Sequence, residues 1–120
     1  MTEFYKLLEL ARSNSEADRA FGSVFGAFIG DAAGAALEFA QFKISREMVQ
    51  HALTLPGGGA LCMAPGQITD DSEMALCIMH GLTDPDCRAS EDLDVLNLDG
   101  IAHYYGRWSR KAFDIGIATS

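Results

Sequence analysis

Four glycines recur at every fourth position in the most apolar part of the chain: Gly22, Gly26, Gly30 and Gly34. This spacing places them on one ridge of an α-helix, beside an apolar face rich in phenylalanine. Each glycine in a helix interior costs about 1 kcal/mol relative to alanine. We therefore predict a long helix over residues 17–40, whose glycine ridge permits another backbone or a ligand to approach closely.

Two acidic residues belong to the same predicted helix. Asp31 and Glu38 are seven residues apart, so both lie on one face if the helix is continuous. Glu38 also continues the glycine ridge one turn beyond Gly34. Acids in so apolar a segment need partners if they are buried, whereas at the helix edge they are solvated. The spacing alone leaves both interpretations open.

A second acidic feature follows a loop rich in proline and glycine. Thr69, Asp70 and Asp71 directly precede an amphipathic run over residues 74–79. Adjacent carboxylates are tolerated where a cation or a helix N-terminus offsets their charge. Hydroxyl and carboxylate oxygens are the ligands that Mg²⁺, Mn²⁺ and Ca²⁺ prefer. These residues alone therefore allow two interpretations, half of a metal site or an ordinary N-cap with acids in its first turn.

Apolar spacing predicts four further helices, over residues 3–12, 45–53, 70–82 and 98–111. Asn14 or Ser15 is the expected N-cap of the long helix and Ser45 that of the helix after it, and Gly81 is an expected C-terminal stop. In the last helix Tyr105 and Trp108 are expected in the core. The loop over residues 55–66 lacks the Gly-Lys-Ser/Thr ending of a P-loop, and we expect flexibility from its glycines. No strand pattern is evident, so the predicted fold class is all-α.

Charge and cysteine content limit the partners of this 120-residue chain, which is long enough for one small domain. A net charge of −8 argues against nucleic acid and anionic membrane as partners, and it suits a cation site. Three cysteines without C-x-x-C spacing predict neither a disulfide framework nor a zinc site, so the expected location is cytoplasmic. The longest uncharged apolar run, residues 20–30, is too short to span a bilayer.

Three segments, taken in order, form a specific combination. They are Gly26-x-x-x-Gly30-Asp31-Ala32-Ala33-Gly34-x-x-x-Glu38, Pro65-Gly66-Gln67-Ile68-Thr69-Asp70-Asp71-Ser72-x-Met74, and Tyr105-x-x-Trp108 followed by Asp114-Ile115-Gly116 and Thr119. Each is weak alone, but together they cover most of the chain and resemble the ADP-ribosylglycohydrolases, which include ADP-ribosylarginine hydrolases and the dinitrogenase reductase-activating glycohydrolase. The resemblance favours metal ligation over capping for the Thr-Asp-Asp segment.

The resemblance implies an all-α fold with two Mg²⁺ or Mn²⁺ ions between helices. The metal ligands it implies in this chain are Thr69, Asp70, Asp71 and Glu38. Of these, Glu38, Asp70 and Asp71 are the expected catalytic residues, whereas Asp31 and Gly116 are expected at the substrate. A second ligand set, Asp-x-Asp-Thr/Ser, comes from the C-terminal part of longer family members and is absent here. Residues 1–120 are therefore expected to be the N-terminal portion of a single domain, carrying half of the binuclear site.

The implied activity is hydrolysis of the glycosidic bond that links ADP-ribose to a protein side chain or another acceptor. The expected partners are an ADP-ribosylated protein or a small ADP-ribose conjugate. On their own, these residues are expected to be inactive and to bind divalent cations weakly. They are also expected to self-associate, or to associate with the missing C-terminal portion, through exposed Phe21, Phe25 and Phe28.

Two alternatives remain from the sequence. One is a catalytically inactive ADP-ribose-binding or structural protein of the same fold. The other is an unrelated Mg²⁺-dependent phosphohydrolase or prenyl-type enzyme that uses Asp70-Asp71-x-Glu73. That enzyme needs a second acidic motif on a facing helix, and Asp92 and Asp94 are its only candidates.

Overall fold

A computed structural model describes residues 3–87 and 96–116 of the chain. The helices within these residues are α1 (Glu3–Ser13), α2 (Ser15–Gly34), α3 (Arg46–Ala52), α4 (Asp70–Thr83), a 3₁₀ helix (Pro85–Cys87) and α5 (Leu98–Trp108). No β-strand occurs in the described residues, where one isolated antiparallel bridge joins Gly58 and Met63. The predicted all-α class is therefore confirmed.

The chain divides into two compact units, Met1–Gln67 and Ile68–Ser120. The first contains α1, α2 and α3, and in it α1 packs against α2. The second contains α4 and α5, which pack along each other, with the 3₁₀ helix against α5. Across residues 3–87 and 96–116, no helix is both long enough and apolar enough to cross a membrane. The assignment of residues 1–120 to a single domain stays a prediction.

Side-chain caps define where three helices begin. Asn14 Oδ1 accepts the Glu16 N–H at 2.9 Å, and Ser45 Oγ accepts the Met48 N–H at 3.3 Å. Asn97 caps α5 in the same way, through Oδ1 to the N–H three residues on. Each bond satisfies an N–H that has no partner within the helix. The caps predicted at Asn14 and Ser45 are confirmed, whereas Ser15, the alternative to Asn14, is the first residue of α2.

Helix α2 ends at Gly34, well before the predicted end at residue 40. Residues 35–39 form turns instead, and the Leu37 N–H donates to the Gly34 carbonyl at 2.8 Å in an i to i−3 pattern. Phe39 has a φ of 58°, which no helix continues. The prediction that Glu38 continues the glycine ridge and shares a helical face with Asp31 is therefore wrong. Glu38 is exposed, in the turn beyond the helix.

The glycine-rich loop of the same unit packs against this turn. A Cβ at Gly59 would lie 2.7 Å from the Ala35 carbonyl oxygen, so a side chain there would displace backbone. Gly57, Gly58 and Gly59 have φ values of 70°, 82° and 69°, which other residues rarely adopt. These glycines therefore have a conformational use, and the expected flexibility stays a prediction. They form a tight turn that seats against the end of α2.

The glycine ridge of α2 is open in the described residues. A Cβ at Gly22, Gly26, Gly30 or Gly34 would meet no atom within 4 Å. Beside the ridge, Phe25 and Ile29 are 48% and 50% exposed. The predicted backbone approach to the ridge is thus not found within residues 3–87 and 96–116. The predicted apolar exposure is found at Phe25, whereas Phe21 and Phe28 are half-buried.

Helix α4 continues through Gly81 to Thr83, so the predicted stop at Gly81 is wrong. Gly81 is buried where α4 meets α5, and a Cβ there would lie 2.5 Å from the Ile101 nitrogen. Asn97 Nδ2 also donates to the Gly81 carbonyl at 2.7 Å. Glycine is needed at this position for helix contact rather than for helix termination. Helix α5 itself ends at Trp108, and residues 109–111 form a turn.

Candidate functional site

Thr69 occupies the N-cap position of α4 without capping the helix through its side chain. Its carbonyl accepts the Glu73 N–H at 3.1 Å, which begins the helix. The Thr69 side chain makes no cap hydrogen bond, although the residue is only 3% exposed. Threonine is favoured at N-caps because its hydroxyl accepts a backbone N–H. The ordinary-cap interpretation is therefore wrong for this side chain.

The first turn of α4 carries three acids, Asp70, Asp71 and Glu73. The half-buried Asp70 accepts the Gly116 N–H at Oδ2, at 2.6 Å. Asp71 is exposed. The unpaired N–H groups at a helix N-terminus give it a partial positive charge, which favours acids in this turn. The turn therefore presents two adjacent carboxylates next to a buried hydroxyl.

Glu73 connects this turn to the end of α5. The indole Nε1–H of Trp108 donates to Glu73 Oε2 at 2.5 Å. The interpretation of Trp108 as a core residue is only partly right, because the side chain is half-buried and carries a specific polar link. Glu73 was not among the expected ligands of the family site. The available signal was that a partly buried indole needs an acceptor.

A second polar link lies near the other end of α4. The Tyr104 hydroxyl donates to Asp84 Oδ2 at 2.6 Å, and the Tyr104 ring stacks on His80 with 5.2 Å between centroids. Sequence reasoning singled out the neighbouring Tyr105, which is half-buried. The two tyrosines differ by one position, about 100° around the helix, and apolar spacing alone did not separate them.

Cys77 lies between these links on the face of α4 that meets α5. The residue is 7% exposed, and its Sγ donates to the Tyr104 carbonyl at 3.7 Å. Burial raises the pKa of the Cys77 thiol above its ordinary value, and the negative charge of Glu73 raises it further. The thiolate fraction is therefore depressed at any pH near neutrality.

This pKa shift predicts slow modification of Cys77. With Cys87 replaced by serine, we expect the exposed Cys62 to react rapidly with a disulfide reagent at pH 8 and Cys77 to react slowly. The raised pKa keeps Cys77 protonated as the pH rises, and burial blocks the reagent. Mass spectrometry of the modified peptides gives both rates. Equal rates for the two thiols in folded protein would contradict the burial and the shift.

The predicted site residues fall into both units. Glu38 and the half-buried Asp31 belong to Met1–Gln67, whereas Thr69, Asp70 and Gly116 belong to Ile68–Ser120. Within the second unit the structure brings Asp70 and Gly116 together. The approach of Glu38 to the aspartates stays a prediction.

The donors in the second unit fit part of a site for a hard cation. They are the hydroxyl of Thr69 and the carboxylates of Asp70 and Asp71, all oxygens of the kind that Mg²⁺ and Mn²⁺ prefer. Among residues 3–87 and 96–116, no group of three or more histidine, cysteine, aspartate or glutamate side chains is placed to hold a metal ion. The acids Asp92 and Asp94, needed by the phosphohydrolase alternative, lie outside the described residues.

Comparison with known proteins gives consistent matches. An ADP-ribosyl-[dinitrogen reductase] glycohydrolase from Rhodospirillum rubrum is 36% identical over 107 residues, which cover 82% of this chain and 31% of that protein. An ADP-ribosylarginine hydrolase Tri1 from Pseudomonas putida (strain GB-1) is 44% identical over 61 residues, 51% of this chain and 15% of the relative. A putative ADP-ribosyl glycohydrolase L543 from Acanthamoeba polyphaga mimivirus is 31% identical over 106 residues, 84% of this chain and 30% of the relative.

The chain therefore spans less than a third of the length of each of these relatives. No solved structure matches it significantly. Residues 12–120 match the family model for ADP-ribosylglycohydrolase, which is nearly the whole chain. The chain belongs to the ADP-ribosylglycohydrolase family.

Proposed function

We propose that this chain supplies the N-terminal part of an enzyme that hydrolyses the glycosidic bond between ADP-ribose and a protein side chain or another acceptor. The observation that carries the proposal is the first turn of α4. There a buried threonine that does not cap its helix stands beside two aspartates, in a chain that matches the glycohydrolase family over residues 12–120. The names of the relatives support the same reaction, since two of them refer to ADP-ribosylarginine and ADP-ribosyl-dinitrogen reductase.

The proposed cofactor is Mg²⁺ or Mn²⁺, two ions in the complete site. Thr69, Asp70 and Asp71 would hold the half of this centre that the second unit provides, with Glu38 as a further ligand. When bound, such ions orient substrate hydroxyls, offset phosphate charge and lower the pKa of a bound water. The charge of the chain supports this cofactor, because a net charge of −8 disfavours the anionic pyrophosphate of ADP-ribose and bound cations offset that repulsion.

The carboxylates of the chain have roles of their own in this proposal. Cleavage at the anomeric carbon of ADP-ribose develops oxocarbenium character, and nearby carboxylates stabilise that positive charge. Asp70 and Asp71 orient the attacking water, and Glu38 acts as the gate or acid/base. Asp31, on the substrate side of the site, braces its helix or a neighbouring metal ligand. The Gly116 N–H donates to Asp70, in the first turn of α4.

The proposal extends to partners and location. The substrate is an ADP-ribosylated protein or a small ADP-ribose conjugate, and the protein works in the cytoplasm. The acidic charge disfavours nucleic acid and anionic membranes as partners. The exposed Phe25 and Ile29 of α2 favour association with the rest of a family domain or, without it, self-association.

The test is an assay with and without the remainder of a domain. We expect the 120 residues alone to give no measurable release of ADP-ribose from an ADP-ribosylated arginine peptide with Mg²⁺ or Mn²⁺. Mg²⁺ requires near-ideal sixfold oxygen coordination, which these residues fill only in part. Supplying the remaining portion of the Rhodospirillum rubrum relative, fused or in trans, is expected to produce hydrolysis.

Either of two results would contradict the proposal. Full activity of the 120 residues alone would show that the site is complete without a second ligand set. Binding of ADP-ribose without hydrolysis, even in the complete domain, would favour a non-catalytic ADP-ribose-binding protein of the same fold.

A further inference from the structure

We propose that the backbone amide of Gly116 is a positioning group for Asp70, holding its carboxylate in one orientation for a divalent cation. The inference rests on the proposed function, because the cation is the reason for the orientation. It assigns Gly116 a role different from that implied by the family resemblance, in which Gly116 is expected at the substrate.

The hydrogen bond between the two residues is the first observation. The Gly116 N–H donates to Asp70 Oδ2 at 2.6 Å, across 46 residues of sequence, and the pair is part-buried. A carboxylate has about four lone-pair positions on its two oxygens. One backbone donor therefore restricts rotation of the Asp70 carboxylate and leaves most of its acceptor positions for a metal ion and its waters.

The group that donates to Asp70 carries no charge. A lysine or arginine at this position would orient Asp70 but would also cancel its charge and compete with the cation. A backbone N–H is neutral, so it orients the carboxylate and leaves its full negative charge. Hydrogen bonds to ligating carboxylates of this kind hold metal ligands in place in many sites.

A second hydrogen bond between α5 and the first turn of α4 helps to hold Gly116 beside Asp70. Trp108 Nε1 donates to Glu73 Oε2, one helical turn beyond Asp70 on α4, which holds the end of α5 beside that turn. The chain then turns, with the Lys111 and Ala112 N–H groups both donating to the Trp108 carbonyl at 2.8 and 2.9 Å. The segment 108–116 is therefore attached to the first turn of α4 at both ends. The segment that carries Gly116 is thus held at Trp108 as well as at Asp70.

The hydrogen bond itself is tested without metal. We expect the Gly116 amide to be protected from hydrogen exchange in the wild-type chain, as measured by NMR. Asp70→Ala should abolish that protection, whereas Asp71→Ala, which removes the adjacent acid, should leave it. Unprotected Gly116 in the wild-type chain, with the helix amides of α5 protected, would overturn the proposal and leave the proposed function standing.

The positioning role is tested by the affinity for Mn²⁺ alone, read from the electron paramagnetic resonance of the free ion. Gly116→Pro deletes the N–H, and Gly116→Ala keeps it. We expect Gly116→Ala to bind Mn²⁺ within about twofold of wild type and Gly116→Pro to bind about tenfold more weakly, the scale for losing a partner of a metal ligand. Circular dichroism confirms that both variants keep the helical content of wild type.

The outcomes separate the two proposals. Equal Mn²⁺ affinities for the proline and alanine variants would overturn the positioning role but not the metal site. Absence of Mn²⁺ binding in the wild-type chain, even at tens of millimolar, together with a protected Gly116 amide, would instead remove the metal half-site and with it the positioning role.

Discussion

Asp70→Ala is expected to lower hydrolysis by about a hundredfold or more when the remainder of the domain is supplied. Asp70 provides a charged oxygen at the start of α4 and receives the Gly116 N–H there. Under the proposed function, its loss removes the charge of a metal ligand, and it leaves the Gly116 N–H without this acceptor. Losing only a partner of a metal ligand already costs about 10- to 100-fold. The measurement is the rate of ADP-ribose release from an arginine-linked peptide at saturating Mn²⁺.

Asp99→Ala is the matched control for this prediction. Asp99 is an acid in the first turn of α5, exposed where Asp70 is half-buried, and its replacement also removes a favourable interaction with a helix N-terminus. We expect Asp99→Ala to keep wild-type activity and to bind Mn²⁺ normally. If both variants retained activity, Asp70 would be an ordinary first-turn acid and the metal assignment would fail.

Local sequence patterns were sufficient for the α-helices and for two of their three side-chain caps. The apolar spacing predicted every α-helix of the described residues, and Asn14 and Ser45 cap the helices they precede, whereas the 3₁₀ helix and the Asn97 cap were not predicted. Such features depend on residues within a few positions of one another, which a single sequence displays directly.

Helix ends were predicted less well, because contacts far along the chain decide them. The end of α2 lies against the loop that contains Gly59, and nothing in the spacing of residues 17–40 reveals this. Glycine is common at the C-terminal ends of helices, but Gly81 lies inside α4 and contacts α5. Glycine permits both uses, and only the packing partner distinguishes them.

In the candidate site, too, residue types are visible in the sequence, whereas contacts between distant residues are not. The residue types of Thr69, Asp70 and Asp71 left metal ligation and helix capping open, and the family resemblance favoured metal ligation, which stays a prediction. Their partners were not predictable, because Gly116 contributes only its backbone N–H, a group that every non-proline residue has. That the Thr69 side chain does not cap α4 was likewise not predictable from its residue type.

Gly81→Ala is expected to destabilise the second unit by about 3 kcal/mol. The added Cβ would lie 2.5 Å from the Ile101 nitrogen, 2.6 Å from the Ile101 Cα and 2.7 Å from the Gly100 carbonyl carbon. These are backbone atoms of α5, so no rotamer change relieves the overlap, and the helices must separate. Overpacking of this kind typically costs about 1–3 kcal/mol, and separation would also strain the Asn97 hydrogen bond to Gly81.

Gly106→Ala, in contrast, is expected to raise the stability of the second unit. Gly106 is inside α5, and a Cβ there would meet no atom within 4 Å. Replacement should therefore stabilise the helix by up to about 1 kcal/mol, through propensity alone. Trp108 is the only tryptophan, so its fluorescence in urea reports the unfolding of this unit for both variants. A Gly81→Ala protein as stable as Gly106→Ala would mean that α4 and α5 do not cross at Gly81. Because Glu73 and Trp108 belong to the same pair of helices, that result would also remove the framework that holds the Asp70 turn in place.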